Sequence, residues 1–233
     1  MANIAEKRAL TRLAVGFLGL ALVWSCADTE VNEPPRPEDA PAQGASGPVV
    51  VNPNLAVGDE LGALPGMSQE LADAIQQQRP FLNMEALHAM VKQHLSREEA
   101  EKLYVQMFVP INLNSASNEE MLLVPGVGER IAHEFEEYRP YTAIAQWERE
   151  MGKYLDDAEV DRMGRFVFVP IDLNTATEAE ILAIPGVGKR MAHEFEEYRP
   201  YSNIEQFRRE IGKYVDDREV ARLERYVEIR RQK

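Results

Sequence analysis

Residues 185–190 read Pro-Gly-Val-Gly-Lys-Arg, and this stretch decides the fold of the chain. An apolar run at residues 181–184 precedes it, and a second apolar-periodic run begins at Met191. A helix does not continue through Pro-Gly-Val-Gly, so the pattern predicts a helix, a tight hairpin and a second helix. The second helix begins with unpaired N–H groups, which favour an anion such as phosphate. The predicted phosphate contacts are Gly186, Val187, Gly188, Lys189 and Arg190.

The same pattern recurs at a fixed period. Pro-Gly-Val-Gly also occupies residues 125–128, and Pro-Gly-Met-Ser occupies residues 65–68, so the three stretches lie 60 residues apart. A fixed period indicates one structural unit that is repeated along the chain. The sequence therefore predicts three tandem repeats, of which the N-terminal one is degenerate.

The three hairpins differ in charge. In the second hairpin Glu129 offsets Arg130, which leaves phosphate binding and a plain turn as equal alternatives. In the first hairpin Ser68 replaces the second glycine and Gln69-Glu70 replaces Lys-Arg, so we expect a structural turn there. The predicted phosphate contacts of the second hairpin are Gly126, Val127, Gly128 and Arg130.

Each repeat predicts a short extended lead-in, residues 171–174 in the last repeat, followed by four short helices with no strand pattern. Thr177-x-x-Glu180 and Ser202-x-x-Glu205 are capping boxes that predict the starts of the first and third helices of the last repeat. Asp216-Asp217 precedes the predicted fourth helix, where the acids cap its N-terminus. The predicted fold class is all-α, with tandem modules of about four short helices each after an export signal and a disordered linker.

The first 26 residues resemble a targeting segment. Lys7, Arg8 and Arg12 form a basic region, and residues 13–24 are uncharged and apolar but too few to span a bilayer. Cys26 follows in a stretch that resembles a bacterial lipobox, in which the cysteine is lipidated, although Trp24 departs from that pattern. An ordinary signal-peptidase site or an uncleaved anchor remain the alternatives.

Composition and periodicity together divide the chain into five segments. Residues 27–50 are rich in Pro, Ala, Gly and acid, which is typical of a disordered tether. The predicted domains are a signal peptide of the lipoprotein type at 1–26, a linker at 27–50, a degenerate repeat at 51–110, a second repeat at 111–170 and a third at 171–233.

The overall charge opposes an obvious nucleic-acid binder. The 233 residues include 26 basic and 39 acidic side chains, a net charge of −13. The last repeat, with 12 basic and 13 acidic residues, is nearly neutral, whereas the middle repeat has 6 and 12. If phosphate is bound, we therefore expect it at the third hairpin.

Residues 171–201, IDLNTATEAEILAIPGVGKRMAHEFEEYRPY, resemble the helix-hairpin-helix module of the ComEA family. Residues 111–141 are similar as well, and residues 50–81 are similar to a lesser degree. Members of that family are exported receptors for DNA in bacterial competence. The resemblance implies an exported, membrane-anchored protein of the bacterial envelope, on the periplasmic or outer-membrane side. It would bind double-stranded DNA through hairpin amides without reading sequence.

Two departures favour an alternative from another class. The family module has a second Gly-x-Gly hairpin, but residues 152–157 and 212–217 have lost one glycine and gained two acids. Together with the acidic charge, this leaves open a scaffold of the cell envelope that binds a protein partner and has kept the fold without DNA binding.

The remaining candidate groups predict little chemistry. His133 with Glu137 and His193 with Glu197 lie four apart on helices, where a solvated surface is expected rather than a metal site. Arginines near the C-terminus either extend a DNA footprint or form an ordinary surface paired to glutamates; they are Arg208, Arg209, Arg218, Arg222, Arg225, Arg230 and Arg231. There is no nucleophile–base set, phosphate-activating motif or metal-ligand spacing. The sequence therefore predicts a protein that is not an enzyme and needs no cofactor.

Overall fold

The structure, a computed structural model, describes residues 49–57 and 59–230. The predicted signal peptide, Cys26, most of the linker and Arg231 lie outside the described residues. The described part is mostly helical, which confirms the predicted all-α class. Its helices are α1 Gln69–Gln78, α2 Met84–Val91, α3 Arg97–Tyr104, α4 Asn118–Met121, α5 Glu129–Glu137, α6 Ile144–Met151, α7 Asp157–Gly164, α8 Glu178–Leu182, α9 Lys189–Glu197, α10 Ile204–Ile211 and α11 Asp217–Glu224.

Short parallel pairings close three segments of the chain on themselves. Strand β1 (Ile111–Asn112) pairs with β2 (Val167–Phe168), and β3 (Ile171–Asp172) pairs with β4 (Val227–Glu228). Val51 forms the equivalent isolated bridge to Met107. We name the closed segments module 1 (residues 51–108), module 2 (111–168) and module 3 (171–228). Strand β3 lies within the lead-in predicted as extended, but the pairing of the strands was not predicted, because a two-residue strand is too short to show an alternating pattern.

Modules 2 and 3 each contain four helices, whereas module 1 differs. Residues 61–66, which precede the first hairpin, form turns instead of a helix in the described part of module 1. In all three modules an asparagine of the segment that leads into the module (the lead-in segment: residues 51–55, 111–115 and 171–175) fastens the loop after the helix that follows the hairpin. The Asn174 amide donates to the Tyr201 carbonyl (2.9 Å) and accepts from its N–H (2.6 Å), as Asn114 does with Tyr141. Asn54 makes the same pair with Phe81.

The helix starts follow most of the predicted caps. The Thr177–Glu180 capping box forms, and Asp216 caps α11 by accepting the Glu219 N–H. The cap predicted at Ser202 was wrong by one residue. Asn203 caps α10 instead, and its side chain accepts the N–H of residue 206, because its position leaves the amide oxygen within reach of that N–H.

The modules are joined by buried contacts. Modules 1 and 2 share one apolar core, in which the Phe108 and Phe166 rings meet edge to face with centroids 5.1 Å apart. Module 3 has its own core around Phe195 and Phe207. Arg225 of module 3 donates to the Pro110 carbonyl (2.7 Å), so the third module is tied to the junction of the first two.

Candidate nucleic-acid interface

We name the three glycine turns hairpin 1 (residues 65–70), hairpin 2 (125–130) and hairpin 3 (185–190). In each, the first glycine has positive φ: 84° at Gly66, 83° at Gly126 and 81° at Gly186. Residues that have a Cβ atom rarely adopt this backbone conformation, so the sharp reversal of the chain requires glycine at this position. The predicted turns are therefore built from the residue type that their geometry demands.

The valine at the centre of each Gly-Val-Gly faces inward. Val127 and Val187 are buried, and their N–H groups donate to the carbonyls of Val124 and Ile184, each at 3.0 Å. Because those N–H groups close the turn, they do not point out of the hairpin. The side chains of Val127 and Val187 anchor the hairpins in the core, and phosphate contact at these two residues stays a prediction.

The second glycine of hairpins 2 and 3 is the N-cap of the next helix. The first intrahelical bonds run from the Ala132 N–H to the Gly128 carbonyl and from the Ala192 N–H to the Gly188 carbonyl, both 3.0 Å. The N–H groups of residues 129–131 and 189–191 precede those bonds, and glycine has no side-chain oxygen to accept them. Both helix starts therefore have backbone N–H groups that can donate hydrogen bonds to a bound oxygen atom.

Hairpin 1 differs at this position. Ser68 is the N-cap of α1, and its hydroxyl oxygen accepts the Leu71 N–H at 3.1 Å. One of the donors that hairpins 2 and 3 leave at the helix start is thus satisfied within the protein. This agrees with the expectation of a structural turn in hairpin 1.

The cations of the two glycine hairpins are on the surface. Lys189 and Arg190 are exposed on the first turn of α9. Arg130 is also exposed, but its guanidinium lies over the Tyr154 ring, 5.7 Å from the centroid. Glu129 of hairpin 2 accepts from the Asn118 side chain at 3.4 Å. Hairpin 3 has Lys189 where hairpin 2 has Glu129, so the formal charge at its helix start is more positive.

A pair of arginines braces the hairpins from the last helix of each module. Arg162 donates to the Pro125 carbonyl (2.7 Å), and Arg222 donates to the Pro185 carbonyl (2.6 Å). Each guanidinium is also paired with a glutamate one turn earlier on its helix, Glu159 or Glu219. Sequence reasoning missed this role, although the 37-residue interval from proline to arginine is the same in both modules.

The arginines grouped as a basic C-terminal surface are largely engaged inside the protein. Arg222 is buried, and Arg225 is held against Phe168 and Tyr226, where burial lowers its pKa. Arg230 donates to the Thr142 and Pro170 carbonyls. Ion pairs also engage two exposed arginines, Arg208 with Glu224 and Arg209 with Glu210. The open footprint at these positions is therefore smaller than the sequence suggested.

The first glycines of hairpins 2 and 3 differ in the side chains nearest to them. A Cβ placed on Gly186 would lie 2.8 Å from a methyl carbon of Leu55 in module 1. A Cβ placed on Gly126 would meet only the guanidinium of Arg162 as its three nearest atoms, the first at 2.5 Å. The second glycine of hairpin 2, Gly128, has open space around it. Hairpin 3 thus combines exposed cations with an exposed first glycine whose missing side chain leaves room for Leu55.

On α5 and α9 a histidine and a glutamate lie close together, and both side chains of each pair are exposed to solvent. His133 lies 3.8 Å from Glu137, and His193 lies 3.7 Å from Glu197. Across residues 49–57 and 59–230, no group of three or more His, Cys, Asp or Glu side chains is placed to hold a metal ion. No helix in that same part of the chain combines the length and apolar character needed to cross a membrane.

A family model described as the helix-hairpin-helix motif matches residues 167–216. That range runs from β2 through hairpin 3 to the N-cap of α11, so it contains α8, α9 and α10. Searches of curated proteins and of solved structures gave no match. The chain therefore carries a helix-hairpin-helix motif in module 3, with hairpin 3 at its centre.

Proposed function

We propose that this protein binds double-stranded DNA without sequence preference, through backbone phosphates at hairpin 3 and hairpin 2. Helix-hairpin-helix motifs commonly bind nucleic acid, which supports DNA as the ligand. The observation that carries the proposal is the glycine-capped start of α9 beside the exposed Lys189 and Arg190. Backbone donors at a helix N-terminus together with adjacent cations suit a phosphate oxygen.

Lack of sequence preference follows from the chemistry of the hairpin. Gly186 and Gly188 have no side chain to reach a base edge, and N–H groups that contact phosphate carry no sequence information. The acidic side chains along the outer face of α9, such as Glu197, oppose a duplex that lies along the helix. Contact limited to the hairpin tip predicts modest affinity with a small number of phosphates neutralised.

Binding of the purified protein to a mixed-sequence DNA duplex, measured over a range of salt concentrations, tests the proposal. We expect binding at low salt that weakens as salt rises, because phosphate contacts release counterions. Reversal of two cations, Lys189→Glu with Arg190→Glu, is expected to lower the affinity about 30-fold or more, with a smaller salt dependence.

The matched control reverses two exposed cations that belong to none of the three hairpins. Lys92→Glu with Arg97→Glu makes the same change in net charge on module 1. If general electrostatics dominates, both double variants lose affinity equally, which contradicts a hairpin site. An absence of binding by the unaltered protein at the lowest salt removes the proposal altogether.

We further propose that the protein is exported and lipid-anchored through Cys26 in the bacterial envelope, with a role in DNA uptake. The support is the basic and apolar N-terminal pattern and the resemblance of residues 111–141 and 171–201 to the ComEA family. In cells fed a labelled fatty acid, we expect label on the protein and none on Cys26→Ser. Label on both, or on neither, contradicts the anchor.

A scaffold role is the second candidate, and the contact of Leu55 with hairpin 3 favours it. A hairpin that contacts another module of the same chain helps to hold the modules together, whether or not it also binds a ligand. In this candidate function, a partner of the envelope remains bound to the protein after nuclease treatment. The charge-reversed hairpin variant would then keep its activity in cells, whereas the DNA-binding proposal expects a loss.

We propose a binding role without catalysis or a cofactor. The support is the sequence, which lacks a nucleophile–base set and a phosphate-activating motif. Incubation of a DNA duplex with the protein and divalent metal is expected to leave the duplex intact. Cleavage that co-purifies with the protein and is altered in its variants would contradict this proposal.

A further inference from the structure

In module 3, one largely buried carboxylate holds two exposed cations. The Glu210 carboxylate pairs with the Arg209 guanidinium at 2.8 Å and with the Lys213 ammonium group. The side chain of Glu210 is 12% exposed, whereas those of Arg209 and Lys213 are 65% and 52% exposed. The same arrangement recurs in module 2. We name the two sets cluster 2 (Arg149, Glu150 and Lys153) and cluster 3 (Arg209, Glu210 and Lys213), and each has one positive charge in excess.

A pair of tyrosines joins each cluster to the helix that begins at the glycine hairpin. In module 2 the hydroxyls of Tyr138 and Tyr154 are 2.9 Å apart, and Tyr138 is the C-cap of α5. The Lys153 ammonium group lies 4.7 Å from the centroid of the Tyr138 ring. The Arg130 guanidinium of hairpin 2 lies 5.7 Å from the centroid of the Tyr154 ring. The contacts therefore run without a break from a hairpin cation to cluster 2. The equivalent lysine and tyrosines of module 3 are Lys213, Tyr198 and Tyr214.

Module 1 provides an internal comparison, because it has neither a glycine-capped helix start nor a cluster. The residues that correspond to the cluster in module 1 are Ala89, Met90 and Gln93, all uncharged, and those that correspond to the tyrosines are Gln78 and His94. Its hairpin has Ser68 in place of the second glycine. The two features thus occur together in modules 2 and 3 and are both missing from module 1. A ligand that contacts both features accounts for their occurring together.

The acidic residues near cluster 3 restrict where such a ligand lies. Asp216 is engaged as the N-cap of α11, where its carboxylate accepts the Glu219 N–H at 2.9 Å. Glu197 directly precedes Tyr198 on α9, so the two side chains point about 100° apart around the helix. Cluster 3 therefore lies on a different side of α9 from Glu197. Asp217 is exposed on the first turn of α11 and limits contact with an anion to the cluster itself.

We propose that cluster 3, and cluster 2 in the same way, is a second phosphate-binding site, which takes a phosphate group of the DNA duplex held at the adjacent hairpin. The inference rests on the proposed function, since it adds one phosphate contact to that at the hairpin. Guanidinium and ammonium groups both suit phosphate oxygens. The glutamate does not contact the ligand. It holds the arginine and the lysine in place, so less side-chain freedom is lost when phosphate binds.

Removal of both cations of cluster 3 tests the site in the complete protein. We expect Arg209→Gln with Lys213→Gln to lower the affinity for a mixed-sequence DNA duplex about 5- to 10-fold at low salt, and to reduce the slope of log affinity against log salt by about 1. The matched control is Arg97→Gln with Lys102→Gln, which removes two exposed, ion-paired cations from α3 of module 1. We expect the control to lower the affinity at most about 2-fold.

The variant Glu210→Gln separates a built site from general electrostatics. It removes a negative charge, which by itself strengthens binding to DNA, but it also releases Arg209 and Lys213. We expect the affinity to fall about 2- to 3-fold, because the two cations then have to be ordered by the ligand. In contrast, Glu98→Gln removes an exposed carboxylate that pairs with Lys102, and we expect it to keep or raise the affinity.

Thermal unfolding shows whether each variant is folded, and Lys213→Gln alone decides the matter if the double variant does not fold. Equal losses in the double variant and its control overturn the cluster as a site, and so does stronger binding by Glu210→Gln than by the unaltered protein. If Lys189→Glu with Arg190→Glu weakens binding and the cluster variants do not, the hairpin site stands and the cluster proposal falls. If the unaltered protein does not bind the duplex at the lowest salt, the proposed function falls and the cluster proposal falls with it.

Discussion

Hairpin 1 and hairpin 3 occupy the same place in their modules but treat the start of the following helix in opposite ways. In hairpin 1 the Ser68 hydroxyl accepts the Leu71 N–H, and Gln69-Glu70 follow without a cation. In hairpin 3 the N-cap is Gly188, and Lys189 and Arg190 follow on the surface. A serine in place of glycine thus satisfies one of the helix-start donors within the protein. The difference separates a hairpin that serves the fold from one that can serve a ligand.

Hairpins 2 and 3 share the glycine cap but differ in what surrounds them. The brace from the last helix is solvent-accessible at Arg162 and buried at Arg222, because module 1 lies against the latter. Two hairpins of similar sequence can therefore differ in how far the arginines that brace them are buried.

Loss of the buried brace is expected to have the largest effect on stability. Arg222→Ala leaves the Pro185 carbonyl and Glu219 without a buried partner, which we expect to lower the free energy of unfolding by about 3 kcal/mol. The matched change Arg162→Ala is partly solvated, so we expect a loss of about 1 kcal/mol. Urea denaturation of both variants gives the comparison. Equal losses would mean that burial by module 1 does not distinguish the two braces.

The cap of hairpin 1 offers a smaller and more specific test. Ser68→Ala removes the acceptor of the Leu71 N–H, and we expect a loss of about 1 kcal/mol in the free energy of unfolding. Gly128→Ser places the same cap on α5, where the extended backbone of Gly128 and the open space around it accommodate a side chain. We expect this variant to keep or slightly raise stability while it weakens DNA binding. Stronger DNA binding by Gly128→Ser would contradict the role of the open donors.

The smallest predicted effect concerns two glutamates at equivalent positions of modules 2 and 3. Glu120 is buried and accepts the Met84 N–H of module 1, and burial raises the pKa of its carboxyl group. Glu180 instead completes the capping box, and hydrogen bonds from the Thr177 N–H and hydroxyl lower its pKa. At the same position of the two modules, the folded structure therefore raises the pKa of one glutamate and lowers that of the other.

These shifts have opposite consequences for stability against pH. Because the pKa of Glu120 is raised in the folded state, its ionisation destabilises the fold as pH rises above the ordinary carboxyl value. We therefore expect Glu120→Gln to gain stability relative to the unaltered protein as pH rises through that range. A lowered pKa means that Glu180 stabilises the fold above the ordinary value and loses this contribution as pH falls, so Glu180→Gln should be relatively less stable at neutral pH. Unfolding of both variants between pH 4 and pH 7 checks the signs. The same sign for both would contradict the assignment.

Local sequence signals predicted the parts of the fold that depend on neighbouring residues. The glycine turns, the Thr177–Glu180 box and the cap at Asp216 each follow from a few adjacent side chains. The interval of 60 residues also located the three hairpins correctly. Such features are short-range, so the sequence alone carries enough information to place them.

Contacts between distant residues were not predictable in this way. The half-buried Leu55 and the buried Arg222 depend on how modules 1 and 3 meet, and no local pattern encodes that geometry. Ser117–Glu120 reads as a capping box, yet the Glu120 carboxylate binds module 1 instead. Leu55, which stands where the other two modules have Ser115 and Thr175, was the one visible signal in the sequence of the contact with hairpin 3.

The backbone N–H groups of the helix starts can be observed directly by NMR titration of the labelled protein with a short DNA duplex at low salt. We expect the amide signals of residues 189–191 and 129–131 to shift with added duplex, while those of Gln69, Glu70 and Leu71 stay in place. Shifts confined to other surfaces, or equal shifts at all three hairpins, would contradict the claim that the glycine-capped helix starts receive the phosphate oxygens.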